Sequence, residues 1–430
     1  MGSVSDTGSE TSASAPPPFA RLLATMLPEA GQTHLLRACL HEGDRARAAW
    51  QQYAAARPVR PTAGQSVSRD QKVLSPLLCD ALEKNGLPLS AFMRTWVRSA
   101  SLREEARYAT WRAILEEVVE ALAEYDGHVL FLGGTALAHS VWPRPALRHS
   151  HGLELWVPET EAADGSLQDL RRRLGRVGFQ PVSPGANRPT SADAAQPPWQ
   201  FRHTSDLALT MRRRPFAIPH YSMDFATVWQ RRRSILLGQR TFDALGPADQ
   251  LVYTCVEACC TRYRESLNWA CDAWYLLAAA DDLPWRSLLQ TAEAWHASLA
   301  LWITFGYLRE ELDAPIPAFV MAELTQRARQ STADDRLAAL VGARQGRRGG
   351  ARLLLRGAAD LSEWVSIARH LLLPSPRYFR WTVADHRPTL LPYYYLRHGL
   401  RPWLVRGRGM LKRTLAPLAQ RGGRTSRGAA

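Results

Sequence analysis

The chain has 430 residues, of which 46% are apolar, and a formal net charge of +14. It is too long for one small core and too hydrophobic for a disordered polycation, so two or three packed units are expected. The charge is uneven, because residues 341–430 carry a net +15 and residues 1–340 a net −1. All but three of the basic residues are arginine, which reflects either codon bias in a GC-rich genome or phosphate recognition.

The sequence gives no signal for membrane insertion or secretion. No apolar run approaches the roughly 18 residues that a membrane span requires, and residues 1–18 lack the basic and apolar regions of a signal peptide. Six cysteines in 430 residues do not make a disulfide framework. We therefore expect a cytoplasmic protein without a transmembrane segment, with a disordered leader over residues 1–18.

The N-terminal part, residues 19–125, shows helical periodicity throughout. The pattern breaks at Gly86-Leu87-Pro88, where a helix should end. A long helix is predicted over 101–125, with Ser101 as its N-cap and Glu104 at the spacing of a capping box.

The pattern changes over residues 126–245, which we predict to be an α/β core. A short apolar run at 128–132 predicts a strand, and Gly133-Gly134 then begins a helix. A second strand is predicted over 152–157 and a helix over 167–177. A loop over 183–198 precedes two further predicted strands over 199–212 and 217–228, the second of which contains Asp224.

Helical patterns return over residues 246–340, and a basic helical region is predicted over 351–416, before a disordered tail over 417–430. The predicted fold class is therefore α+β, with a small mixed sheet flanked by helical regions. The region over 351–416 mixes aromatic and basic residues, which fits an anionic membrane surface, another polyanion, or a packed helix with a basic outer face.

The strand, Gly-Gly turn, helix and second strand form the part of the sequence with a chemical rationale. Glycines at a strand-to-helix turn let backbone N–H groups approach a triphosphate, and the helix N-terminus favours negative charge. Carboxylates on neighbouring strands could then hold Mg²⁺ between the phosphates and a hydroxyl. Glu154 and Asp224 are the two carboxylates that the predicted strands supply.

The run LFLGGTALAHSVWPRPALRHSHGLELWV at 130–157 resembles the uncharacterised bacterial nucleotidyltransferases of the polymerase-β-like superfamily. That family has a strand, Lys-Gly, a helix, a Pro turn, an Arg and then Asp-Ile-Asp on a strand. The MDFATVW segment stands where the family has a third aspartate, and LNWACDAWYLL resembles its Trp-x-x-Asp helix, here Trp269 and Asp272. The resemblance covers about residues 20–400.

The resemblance implies a nucleotidyltransferase-type sheet and transfer of an NMP group from an NTP to a hydroxyl of a small-molecule or peptide acceptor in a biosynthetic pathway. It implies Mg²⁺, with Glu154 and Asp224 as catalytic and metal-binding residues. The nucleotide-binding residues that it implies are Gly133, Gly134, Thr135 and Arg148.

This chain departs from the family pattern at the positions that matter most for chemistry. Gly133 replaces the lysine, Gly152 replaces the first aspartate and Glu154 replaces the second. Two interpretations follow. One Mg²⁺ on Glu154 and Asp224, assisted by His149 or His151, still supports transfer, or the protein is a pseudoenzyme that binds a nucleotide, a peptide or a partner.

Other candidate residues have plainer interpretations. The cysteines at 255, 259, 260 and 271 lack a CxxC pair and are expected to be buried free thiols. The histidines around the predicted cleft, His220 among them, are expected to be hydrogen-bonding surface groups. Among the arginine clusters, 212–214 is the best phosphate candidate because it lies between two predicted strands.

Overall fold

The computed structural model describes residues 27–56, 69–150, 152–158, 164–182, 199–216, 218, 220–261, 266–279, 283–332, 335–336, 338–339, 388–390, 392–393 and 396. The predicted leader, the loop over 183–198, the tail and nearly all of 351–416 lie outside these residues. The chain divides into two compact units, Met1–Ala359 and Asp360–Ala430. In the second unit the structure describes a 3₁₀ turn, Pro388–Leu390, and the exposed residues Tyr393 and Leu396.

The N-terminal region is helical, as the sequence predicts. It contains α1 (Ala30–Leu40), α2 (Gly43–Ala56), α3 (Arg69–Asn85) and α4 (Ala91–Ala123), and the break at Gly86 is confirmed.

The predicted start of the long helix is wrong. Helix α4 begins ten residues before Ser101, and Ser90 is its N-cap, accepting a hydrogen bond from the Met93 N–H at 3.2 Å. Ser101 lies buried within the helix. The physical reason is that Met93, Val97 and Ala100 continue the apolar face of the helix toward the N-terminus, so packing overrides the capping-box pattern.

A seven-stranded mixed sheet forms the centre of the first unit, in the order β3-β4-β5-β2-β1-β7-β6. Its strands are β1 (Leu130–Phe131), β2 (Gly152–Trp156), β3 (Phe179–Pro181), β4 (Trp199–His203), β5 (Ala208–Arg212), β6 (Arg233–Leu237) and β7 (Arg240–Ala244). The helices between them are α5 (Gly133–Ser140), α6 (Asp164–Arg176) and α7 (Phe225–Gln230). Strand β2 is central, antiparallel to β1 and parallel to β5. The α+β fold class is therefore confirmed.

Two strand predictions need correction. The segment 199–212 is a hairpin, β4 and β5, with Asp206 in the left-handed region at φ 68° in its turn. The described part of 217–228 contains no strand, because Asp224 caps the short helix α7 instead. Strands β3, β6 and β7 are short elements that the sequence analysis did not predict.

Five helices follow the sheet, which confirms the helical character of residues 246–340 over their described part. They are α8 (Pro247–Thr261), α9 (Asn268–Ala278), α10 (Trp285–Ala294), α11 (Ser298–Leu312) and α12 (Ala318–Arg329). Helix α11 is buried on most of its surface, from Leu299 to Leu312. Among the described helices, none combines the length and apolarity needed to cross a membrane.

Side chains alternate across the central strands. Leu153 and Leu155 of β2 lie in a core with Ile114 and Val118 of α4, and Leu209 and Met211 of β5 join the same cluster. Because successive strand residues point to opposite faces, Glu154 of β2 and Thr210 of β5 emerge on the other face. Tyr253 of α8 covers that face and contacts Glu154. The sheet thus separates an apolar core from a polar face, and the predicted cleft corresponds to the surroundings of Glu154 on that face.

Replacing Leu155, which is fully buried in β2, tests the position of this core. Leu155→Ala should lower the free energy of unfolding by about 2–5 kcal/mol, because it removes buried methyl groups and leaves a cavity. Leu236→Ala on β6 is the matched control, since that leucine is 68% exposed and should change stability by only about 0.5 kcal/mol. Chemical denaturation measures both, and equal effects would contradict the assignment of faces.

Candidate functional site

The Gly-Gly turn joins β1 to α5 as predicted. Gly133 has φ +55°, a left-handed conformation that suits glycine, and it is the first residue of α5. The preceding Leu132 N–H donates to the Glu154 carbonyl oxygen at 2.9 Å, which ties the turn to β2. A Cβ at position 133 would lie 3.8 Å from the Glu154 Oε2 atom. The helix N-terminus and the carboxylate of Glu154 therefore meet at this turn, whereas Thr135 is buried inside the first turn of α5.

Glu154 is held by two partners from different elements. The Tyr253 hydroxyl donates to Glu154 Oε2 at 3.3 Å, and the Arg212 Nη2 atom lies 3.6 Å from Glu154 Oε1. Burial, and then the charges of Glu257 and Glu154, raise the pKa of Tyr253 well above its usual value. Tyr253 therefore remains a protonated donor, and Glu154 is a half-buried carboxylate that faces the Arg212 guanidinium.

Glu154 is the only acidic residue of β2 and β5. The register of these two strands pairs Gly152 with Ala208 and Glu154 with Thr210. The approach at Gly152 is too close for a side chain, because a Cβ there would lie 2.5 Å from the Ala208 carbonyl oxygen. The backbone would have to move before the position of the family's first aspartate could carry any carboxylate.

Asp224 lies outside the sheet, in contrast to its predicted position. Its Oδ2 atom accepts hydrogen bonds from the Thr227 N–H at 2.8 Å and from the Thr227 hydroxyl at 2.5 Å, as the N-cap of α7. These bonds lower the pKa of Asp224. Phe225 packs on Trp156 of β2 with ring centroids 4.9 Å apart. Among the residues that the structure describes, Asp224 and Glu154 share no hydrogen-bond partner, so each carboxylate has its own set of hydrogen bonds.

Arg148 is engaged by a buried carboxylate. Its Nε and Nη2 atoms donate to the two oxygens of Asp272 at 2.8 and 2.7 Å, and Trp142 Nε1 donates to Asp272 Oδ1 at 2.8 Å. The two charged side chains are only 10% and 4% exposed. Burial alone would lower the pKa of Arg148, but the charge and hydrogen bonds of Asp272 raise it overall.

The guanidinium of Arg148 passes over Gly134, where a Cβ would overlap it. Asp272 belongs to the Trp-x-x-Asp segment on α9, and Trp269 of that segment is buried against Tyr307. The Trp-x-x-Asp motif therefore fixes Arg148 beside the Gly-Gly turn through Asp272.

A separate pocket lies between α4, α5 and the start of β2, on the core side of the sheet, and Glu154 is not among the residues that line it. The sequence analysis did not assign the α4 residues in its wall, because helix periodicity alone does not show which face meets a cleft. In this wall the Arg107 guanidinium lies 4.6 Å from the Trp111 ring centre and donates to His149 Nδ1 at 2.9 Å. Burial and the charge of Arg112 lower the pKa of His139 to about 4, so this histidine is neutral at pH 7. Residues that line this pocket include Gly134 of the turn, Arg148, Gly152 of β2, and Arg107, Tyr108 and Trp111 of α4.

Residues 66–313 match the model of a family described as uncharacterised nucleotidyltransferases. The chain belongs to this family. The matched residues contain the Gly-Gly turn, Glu154, Asp224 and the Arg148–Asp272 pair, so the whole candidate site is part of the nucleotidyltransferase-like region.

A solved structure described as an antigenic nucleotidyltransferase-like protein from Paracoccidioides brasiliensis is also similar. The two chains share 13% sequence identity and the TM-score is 0.32. The similarity covers 49% of this chain and 95% of that chain. Comparison with curated proteins gives no significant match.

The contact between Gly134 and Arg148 predicts that a single methyl group added at position 134 lowers the stability of the fold. Gly134→Ala should lower the free energy of unfolding by about 1–3 kcal/mol, because the new methyl group displaces a guanidinium that Asp272 holds in a buried pair. Gly175→Ala in α6 is the matched control, since its methyl group meets open space and should stabilise the helix by about 0.5–1 kcal/mol. Thermal and urea denaturation measure the two effects, and a stabilising Gly134→Ala would contradict the contact.

Proposed function

We propose that this nucleotidyltransferase-like protein binds a phosphate-bearing ligand, foremost a nucleotide, at the Gly133-Gly134 turn without transferring an NMP group. The observation that carries the proposal is the single carboxylate of β2 and β5. Nucleotidyl transfer with two bridged metal ions requires several carboxylates in one place, whereas Gly152, two residues before Glu154, has no room for a side chain.

Binding of a phosphate group is supported by the groups around the turn. The first backbone N–H groups of α5 lack acceptors within the helix, and the helix N-terminus carries partial positive charge. Arg212 lies beside the turn through its 3.6 Å contact with Glu154, and it is the guanidinium that we assign to the phosphate. Arg148 acts as a positioning residue, since its Nε and Nη2 atoms donate to Asp272.

The carboxylate of Glu154 limits how many metal ions the site can hold. Glu154 fits one Mg²⁺ carried in with the phosphates, because Mg²⁺ is commonly held by one or two carboxylates together with substrate oxygens. In this proposal a second ion is disfavoured, because β2 and β5 supply only the carboxylate of Glu154 and Arg212 adds a positive charge 3.6 Å from it. When bound, one Mg²⁺ would neutralise phosphate charge, and the chain's own residues would orient the ligand.

The predicted cytoplasmic location is retained as part of this proposal. All six cysteines are free thiols and five of them are buried, which fits a reducing compartment.

Nucleotide binding and transfer should separate in one set of experiments. Calorimetry with each NTP and Mg²⁺ should show binding, and Arg212→Ala should weaken it about tenfold or more by removing a charge-assisted hydrogen bond. Arg202→Ala is the control for lost positive charge, because Arg202 is exposed and paired with Asp206. It should leave the affinity unchanged.

The same preparations with α-labelled NTP and a panel of hydroxyl acceptors should show no transfer of label. Metal-dependent transfer that is lost in both Glu154→Ala and Asp224→Ala would contradict the proposal and restore the enzymatic interpretation. Absence of any nucleotide binding in the calorimetry would also contradict the proposal.

A further inference from the structure

Three side chains distant in sequence meet outside the cleft. His220 lies between β5 and α7, His296 in the bend between α10 and α11, and Asp335 after α12. One potential ligand atom from each lies within 4.8 Å of the other two. His220 is only 1% exposed, and the other two residues are half-buried. The fold therefore brings two imidazoles and a carboxylate together in a largely enclosed position.

The contacts within this cluster are short. His220 Nε2 lies 2.8 Å from Asp335 Oδ1, and the two imidazole centroids are 5.2 Å apart. His296 has φ 58°, a left-handed conformation that is uncommon for a residue other than glycine, asparagine or aspartate. The bend at His296 thus directs its ring toward His220.

A further set of hydrogen bonds orients the carboxylate. Asp335 Oδ2 accepts from the Thr332 N–H and from the Thr332 hydroxyl, each at 2.7 Å, while Oδ1 faces His220. Burial alone would raise the pKa of Asp335, but the hydrogen bonds from His220 and Thr332 lower it to about 2. Metal-binding carboxylates and histidines are commonly fixed by outer hydrogen bonds of this kind.

We propose that His220, His296 and Asp335 bind one divalent transition-metal ion, foremost Zn²⁺. Two histidines with one carboxylate form a donor set that suits Zn²⁺ and non-haem Fe²⁺, and histidine disfavours Mg²⁺. Zinc bonds of about 2.0–2.1 Å in tetrahedral geometry place ligand atoms roughly 3.3 Å apart. Side-chain rotations that move the ligand atoms by about 1 Å would bring the three atoms to this spacing around an ion and leave a fourth position for water.

The site would join three segments and support the wall of the cleft. His220 packs against Tyr221 with ring centroids 5.4 Å apart, and Phe216 stacks on Tyr253 at 5.4 Å. Tyr253 in turn donates to Glu154. Asp335 lies beyond residues 66–313, so the family match does not by itself imply the complete ligand set. The proposal is independent of nucleotide binding, because its ligands lie outside the cleft.

Metal titration of the full-length chain without a histidine tag tests this site. After removal of metal with a chelator, calorimetry should show one equivalent of Zn²⁺, and Zn²⁺ should raise the thermal midpoint. Co²⁺ in place of Zn²⁺ should give visible d–d bands of a nitrogen and oxygen site, without the near-ultraviolet charge-transfer band of thiolate ligands.

Variants identify the ligands. His296→Gln and Asp335→Asn should each weaken Zn²⁺ binding at least tenfold and abolish the thermal shift, with unchanged circular dichroism. His203→Gln is the control, because His203 contacts Ser205 instead of this cluster. Stoichiometric binding that survives in both variants, a thiolate spectrum with Co²⁺, or no Zn²⁺ binding by the wild-type chain would overturn the proposal.

Discussion

The close parallel pairing of β2 with β5 is the constraint on which the candidate site depends. At Gly152 the two backbones approach so closely that the Ala208 carbonyl occupies the space of a side chain. Two residues further along, Glu154 pairs with Thr210 on the same face of the sheet, so the polar face of this central pair holds one carboxylate. The proposed function rests on that packing: Glu154 and the turn would orient phosphate groups, whereas this strand pair lacks the clustered negative charge that two metal ions require.

A second constraint connects this strand pair to the surrounding helices. Arg148, which precedes β2, forms a bidentate pair with Asp272 of α9, and Trp142 donates to the same carboxylate. Breaking one partner of such a buried pair is costly because the other charge remains buried, so Arg148 is poorly available for a ligand. The Arg148–Asp272 pair instead holds the Gly-Gly turn between the sheet and the helices that follow it. The Trp-x-x-Asp helix therefore has a structural role in this chain.

The sequence predicted the region with the strongest local signals. Strand β1, the Gly-Gly turn, α5 and β2 were predicted in order and confirmed, because apolar runs and glycines there agree with the final packing. The position of Asp224 was wrong because an Asp followed by Thr227 supports a helix cap as readily as a strand residue, and only the tertiary contact of Phe225 with Trp156 selects the helix. The prediction that scattered histidines are surface groups was wrong for His220, which is buried against partners more than 70 residues away.

The number of metal ions that accompany a bound nucleotide tests the central claim most directly, because it needs no knowledge of an acceptor. Mn²⁺ can be counted by electron paramagnetic resonance with a non-hydrolysable NTP analogue, in the Asp335→Asn protein so that the separate histidine cluster does not contribute. One Mn²⁺ or none per bound nucleotide agrees with a single carboxylate at Glu154. Two Mn²⁺ ions per nucleotide, with one lost in Asp224→Ala, would contradict it.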